Sequence, residues 1–411
     1  MAPLAVAQLV NLSAVLLVVR IYPPTAFGHF ATLFAIATVV AGISSLRLDI
    51  AITTAAEPDV SMLIGIARRL NMSVGGAAAV VGLVWLLASD RLDPVRATEM
   101  VALGGAVALL GLINTLSYAC VRAQRYALLA ASRLSTAVVL TMGQVGLGLV
   151  WPSAAALLVA SAAGYGAGVL LQWRLFLPPA VGSLRGALRR HRGFMVASTP
   201  ASLMNNLALN LPVLVAATAA GSAAAADLAL ALRIGLVPLA LVGQALMPIL
   251  FGEIARQLRS APAAALGSYD HALSRLSVLG ACCLTGLSLA VYATAPRALG
   301  EEWVGAGAML LILTPFMIAQ FAVAPLSQTL NALGRNRDQL LWDAARLVGI
   351  TLAFVPVLAG WTDLRTGVAL FSGVMVVAYA VHILVTRKAL RGRRASVEQA
   401  HRPEAVPAGR I

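Results

Sequence analysis

The chain has 411 residues, 60% of them hydrophobic and only 11% charged, where a soluble domain carries about 25% charge. Its net charge of +14 raises nucleic acid as a partner. The cations, all but one of them Arg, lie in short gaps between apolar runs rather than on one soluble face, so membrane topology and anionic lipid headgroups account for them and no nucleic acid is expected.

A hydrocarbon core about 30 Å thick needs about 20 apolar residues per helix. About twelve stretches meet that length: 3–20, 28–48, 70–88, 98–119, 134–151, 155–177, 195–217, 225–250, 276–295, 305–330, 340–360 and 367–386. The first lacks a basic leader and reads as a span rather than a cleaved signal. Alternate gaps and the tail hold 24 of the 30 Lys and Arg, the other side holds five, and Arg233 falls within a span. Short loops rich in these residues stay inside, so both termini are expected in the cytoplasm and the protein in the cytoplasmic membrane. The longest inner gap, basic through Arg192, divides the chain. The expected organisation is an N-terminal six-helix bundle over 1–180, a basic linker over 181–194, a C-terminal bundle over 195–386 and a disordered basic tail over 387–411. The fold class is an all-α membrane protein with two six-helix bundles around a central cavity.

The halves show an internal repeat. Arg122 to Leu134 and Arg335 to Leu347 both read Arg-x10-Arg-Leu, with further matches at Leu128/Leu341 and Ala131/Ala344. Asp49-Ile50-Ala51 and Glu253-Ile254-Ala255 stand near the ends of spans two and eight. Each match is weak, but they fall at corresponding spans. Six being even, the halves are parallel repeats about an axis along the membrane normal.

Polar groups in hydrocarbon are costly and turn to a cavity or a partner helix. Span one carries Gln8 and Asn11, and its repeat partner carries Asn205, Asn206 and Asn210. Spacings of three and four put Gln8 with Asn11, and Asn206 with Asn210, on one helical face. Two readings stand: polar faces lining an aqueous cavity, or hydrogen-bonded contacts between helices. Pro212 suits a kink in span seven. Arg233, deep in span eight, suits an anionic phosphate or sugar acid, or snorkels outward towards Asp227. Arg47 and Asp49 close the inner end of span two, across the cavity mouth or as an interfacial pair. Asn71 and Asn114 are weaker cavity candidates, and His382 reads as packed or interfacial. Gly164-x3-Gly168 is a helix-packing spacing. Cys120, Cys282 and Cys283 fit no disulfide or metal pattern and read as small buried hydrophobes. No catalytic constellation, nucleotide loop or cofactor motif is present, so neither an enzyme nor a cofactor is expected.

A series of motifs runs through the chain in order. Tyr22-Pro23-Pro24-Thr25-Ala26-Phe27-Gly28 is followed by Ser45-Leu46-Arg47-Leu48-Asp49-Ile50-Ala51-Ile52, then Asn210-Leu211-Pro212-Val213. Ala229 to Pro248 comes next, with Arg233, Pro238 and Gln244, then Glu302-Trp303-x3-Gly307 and Pro325-Leu326-Ser327-x3-Leu330. The series resembles the bacterial polysaccharide-lipid flippases of the Wzx type, within the multidrug/oligosaccharidyl-lipid/polysaccharide exporter superfamily. Ala225-Ala226-Asp227 departs from the turn usual before span eight. The resemblance implies two bundles set in a V that rock to give alternating access. It implies a polyprenyl-pyrophosphate-linked oligosaccharide as substrate, H+ or Na+ as coupling ion, and association with polysaccharide polymerase machinery. A cation-coupled drug exporter would want a closed acidic site in the N-terminal half, where Asp49 is the one acid of the first two spans. A membrane polymerase would want catalytic groups on large outer loops, and the outer loops here are short.

Overall fold

The computed structural model describes residues 15, 17–173, 184–260, 262–327, 329–333 and 335–400. The helices are α1 (Pro24–Ser44), α2 (Leu48–Thr54), α3 (Glu57–Ala88), α4 (Pro94–Arg122), α5 (Tyr126–Val150), α6 (Ala154–Gln172) and α7 (Leu184–Gly193). A π-helical turn leads into α8 (Thr199–Ser260), followed by α9 (Pro262–Ala298), α10 (Val304–Val323), α11 (Thr329–Ala332), α12 (Asn336–Leu358) and α13 (Leu364–Ala400). No strand occurs among the described residues.

Ten helices among the described residues are long and apolar enough to cross a membrane. The long α8 breaks at Gly221 (φ 86°, ψ 174°), a backbone conformation suited to glycine, and is two spans in sequence. The chain stays helical through Pro212, where a kink is expected, and bends at Gly221 instead. Most of the first expected span lies outside the described residues; its end, from Leu17, is helical. The chain is a multi-pass all-α membrane protein.

Local chemistry sets the helix starts. Pro24 and Pro94 stand at first positions, where no intrahelical donor is needed. Asp93 and Ser153 cap α4 and α6 by accepting from Arg96 N at 2.8 Å and Ala156 N at 3.2 Å. α3 begins at Glu57, well before the expected residue 70, because Ala56 and Pro58 start the helix before the apolar run does. The segment after Arg387 is helical to Ala400, where a disordered tail is expected.

The N-terminal bundle is α1 with α3–α6, and the C-terminal bundle is α8–α10 with α12 and α13. Small residues let backbones meet: an ideal Cβ on Gly75 would lie 2.5 Å from the Gly104 carbonyl. Ser132 Oγ donates to Gly168 O at 3.0 Å, so the Gly164–Gly168 stripe packs α6 on α5. Asn71 is fully buried and joins three helices. It accepts from Ser44 Oγ at 2.5 Å and donates to Thr115 Oγ1 at 3.0 Å. Large apolar side chains cover the outside, among them Val81, Trp85, Leu149, Leu352 and Val377, as lipid contact requires. Cys120 is buried, but Cys282 and Cys283 are exposed on this outer surface, contrary to expectation.

Candidate functional site

The bundles meet along α1 and the first part of α8. Thr38 Oγ1 donates to Asn210 Oδ1 at 3.0 Å, and Ser202 Oγ donates to Gly42 O at 3.0 Å. Asn210 Nδ2 donates to Asn206 O at 2.8 Å, and Asn206 Nδ2 to Ser202 O at 2.8 Å. The amides of Asn206 and Asn210 are therefore engaged at the seam between the bundles. Asn205, one step round the helix, faces into the C-terminal bundle and accepts from Arg346 Nη2 at 2.8 Å. Gln8 and Asn11 lie outside the described residues.

On the Arg-poor side the seam is shut. Trp303 Nε1 donates to Val19 O at 2.9 Å, Arg20 Nη2 to Ala298 O at 3.1 Å, and the Phe27 ring meets Trp303 edge-on at 5.5 Å. An ideal Cβ on Gly28 would stand 1.7 Å from the Ser222 carbonyl oxygen, so α1 and the turn after Gly221 touch backbone to backbone.

Towards the basic side, the N-terminal bundle holds a polar pocket of about 370 Å³, lined by Arg47, Asp49, Asn114, Ser117, Tyr118 and Arg133 among others. The chain breaks between α1 and α2 with Leu46 and Arg47 at φ 50° and 58°, a left-handed conformation that non-glycine residues hold only under constraint. That break brings the Arg47 guanidinium to 3.9 Å from Asp49, a loose ion pair that leaves the buried Arg47 Nε without a hydrogen-bond partner. Arg133 Nη2 donates to Ser117 Oγ at 3.2 Å. Nearby, Arg122 closes the end of α2 by donating to the Ile52 and Thr53 carbonyls and pairing with Glu57 at 2.8 Å.

At the centre, Tyr165 of α6 stands within electrostatic range of Arg133 from its own bundle and of Arg233 from the other. Phe34 of α1 lies parallel to the phenol at 6.4 Å. Among the described residues neither Arg133 nor Arg233 has a carboxylate partner. Of the two readings of Arg233, the one that turns it towards Asp227 finds no ion pair between them among the described residues. The Asp227 carboxylate instead lies against Gly305, at the start of α10.

Of the residues expected at a site, Arg47, Asp49 and Asn114 share the polar pocket, while Arg233 lies within electrostatic range of Tyr165. Asn71 is interhelical, and His382 packs edge-on against Trp342 at 4.8 Å. Sequence reasoning missed Arg133 and Arg346 as site residues, counting both with the basic gaps although they lie inside α5 and α12. The signal was present: they are the matched second arginines of the two Arg-x10-Arg-Leu segments. It also missed Tyr165, which no pattern marks.

The profile of a family described as "Polysaccharide biosynthesis protein" matches residues 17–307. No curated protein matches the chain in sequence. Among solved structures, it is similar to an inward-facing multidrug resistance MATE family transporter of the MOP superfamily. The TM-score is 0.67 at 14% identity, covering 95% of this chain and 96% of that one. It is equally similar to the lipid II flippase MurJ in an inward closed conformation, with TM-score 0.67, 9% identity, and 98% and 93% covered. A variant of the Vibrio cholerae MATE transporter VcmN follows at TM-score 0.62 and 15% identity, with 94% and 93% covered. With its family profile matched over most of its length, and the two-bundle architecture of these transporters, the chain belongs to the polysaccharide biosynthesis protein family and has the MOP-superfamily fold.

Proposed function

We propose that this protein is a flippase that moves a polyprenyl-pyrophosphate-linked oligosaccharide across the cytoplasmic membrane by alternating access, with both termini in the cytoplasm. The observation that carries the reading is the pair of acid-free guanidiniums, Arg133 and Arg233, within electrostatic range of Tyr165 from opposite bundles. An Arg at the centre of a membrane helix costs about 2.5–3.5 kcal/mol on insertion scales. Arg233 is such a group, Arg133 lies nearer the basic end of α5, and two arginines without acids suit a ligand that brings its own negative charge; a pyrophosphate is doubly anionic. Arg forks bind phosphate oxygens bidentately, which fixes orientation as well as charge. The polar pocket at Arg47 and Arg133 lies towards the basic side and would receive the headgroup there, while the lipid tail stays in the bilayer. The sealed Arg-poor side fits a state open or poised towards the cytoplasm. Membrane lipids and polysaccharide polymerase machinery are the partners this role implies.

A drug exporter handling organic cations is less favoured, since the seam presents arginines where cations would bind. The test is flipping of a labelled polyprenyl-pyrophosphate oligosaccharide in proteoliposomes. Arg233→Ala and Arg133→Ala should each abolish transport while the protein stays folded, and Arg233→Lys should keep part of it. Full transport by both Ala variants would sink the reading.

A further inference from the structure

The chain crosses from one bundle to the other on the basic side, and there it is tied on both sides of one short turn. Asp59, in the first turn of α3, has a side chain only 9% exposed. It accepts from Arg190 Nε of α7 at 2.9 Å and from Nη2 of the same fork, and it lies 3.2 Å from His191 Nε2. Two parallel bonds fix the orientation of a partner as well as its position. α3 is itself locked to its neighbours, because Arg122 of α4 reaches both Glu57 and the end of α2. Beyond α7 the chain winds into the π-helical turn, Phe194–Ser198, where Met195 packs against an apolar cluster that includes Leu48, Ile52 and Leu63 of α2 and α3. α8 follows at once and belongs to the C-terminal bundle. There Arg346 of α12, paired with Asp343 at 3.0 Å, donates to Asn205 of α8 at 2.8 Å.

α7 has 10 residues, and isolated helices shorter than about 12–15 residues are marginal in water. It is therefore seated by what it touches, and Asp59 supplies the charged part of that contact. The turn after it reads Phe-Met-Val-Ala-Ser, with no Gly or Pro to interrupt an α-helix. Its wider winding comes from the anchors at its two ends rather than from its own residues, and such turns are frequent at functional sites. We propose that Asp59 is a positioning residue for the rocking of the bundles. By clamping α7 to α3 it makes the linker part of the N-terminal bundle and leaves the π-helical turn as the hinge. A few residues at the end of an element are enough to absorb such a rotation. With the clamp released, the whole of 184–198 becomes the tether. The basic side then gains room to open, and the seal at the far end of the seam is held more tightly, because rocking closes one side as it opens the other.

The value of this hinge to transport rests on the flippase reading, but the clamp and its effect on the seam are measured without substrate. Hydrogen exchange followed by mass spectrometry on the full chain in nanodiscs is the test. In Arg190→Gln and in Asp59→Asn the amides of 184–198 should exchange faster. Those of 221–227 and 299–303, at the seal on the opposite side, should exchange slower by about fivefold or more, the low end of coupling between distant sites. Asp59→Glu keeps the carboxylate and should leave both regions close to the unmodified protein. The double variant should do no more than either single one, because both remove the same contact. The Arg190 side chain is 59% exposed, so its replacement does not threaten folding and the answer stands even where Asp59→Asn fails to fold. Faster exchange in 184–198 with an unchanged seal would make the clamp a local tie and overturn the proposal. So would variants that leave 184–198 as it was, or a double variant whose effect is the sum of the two. None of those results touches the flipping assay.

Discussion

Replacing Gly28 by Ala should loosen the seal on the Arg-poor side. The new Cβ would stand 1.7 Å from the Ser222 carbonyl oxygen, 2.6 Å from its carbon and 3.0 Å from Ala226 N, all backbone atoms that cannot rotate away. Ordinary contact begins near 3.4 Å, so α1 and the turn after Gly221 must part by well over an ångström. Overpacking of this kind costs about 1–3 kcal/mol, which at 1.4 kcal/mol per tenfold weakens the sealed state about 5- to 150-fold. Hydrogen exchange followed by mass spectrometry reads this directly. Amides around 221–227 and 299–303 should exchange faster, while those of α12 and α13 stay as they were. Gly65→Ala is the control, since a Cβ there meets nothing within 4 Å, and it should leave both segments unchanged. If Gly28→Ala folds and exchanges like the control, the backbone contact is not what holds the seal.

Other variants test separate parts of the structure. Trp303→Phe keeps most of the ring packing but removes the donor to Val19 O; the seal should weaken by about 1 kcal/mol, seen as faster exchange at the end of the first span. Asn71→Ala leaves Ser44 and Thr115 buried without their shared partner; a loss of about 1–3 kcal/mol should appear in denaturant or thermal unfolding. Asp363 caps α13, and its hydrogen bonds from Thr366 hold its carboxyl below the usual carboxylate range. The cap is therefore intact at neutral pH and is lost as pH falls through the depressed value. Exchange at the first turn of α13 should quicken only in strong acid, and should be fast at every pH in Asp363→Ala. Raising salt should weaken binding of a pyrophosphate-bearing lipid less at the enclosed Arg233 than at exposed arginines such as Arg189, measured by titrating variants of each.

Much of the architecture was legible because the bilayer imposes it. Apolar length marks the spans, and the 3.6-residue period then groups Asn206 with Asn210, which do lie together along the seam with α1. What periodicity cannot give is which neighbour a face meets. Asn205 differs from Asn206 by a single step of about 100°, yet it serves the C-terminal bundle and Asn206 the seam. Hydropathy also places charged residues in loops by default. It moved Arg133 just outside its helix, because a span carrying an Arg near its basic end scores as a later start. Tyr165 was invisible for the opposite reason: a lone Tyr in an apolar helix looks like packing until a second helix brings Arg233 to it.

The repeat leaves one contrast. In the register that aligns Arg133 with Arg346, Asp343 corresponds to Ala130. Both halves carry the same cation at matched positions, but only one copy carries an acid a turn away. Ala and Asp codons differ at a single nucleotide. One mutational step therefore separates an arginine without an acid in its own helix from one neutralised within it. Ala130→Asp would hand the N-terminal half the character of its twin, and a pseudo-symmetric protein would have lost its division of labour to one base change.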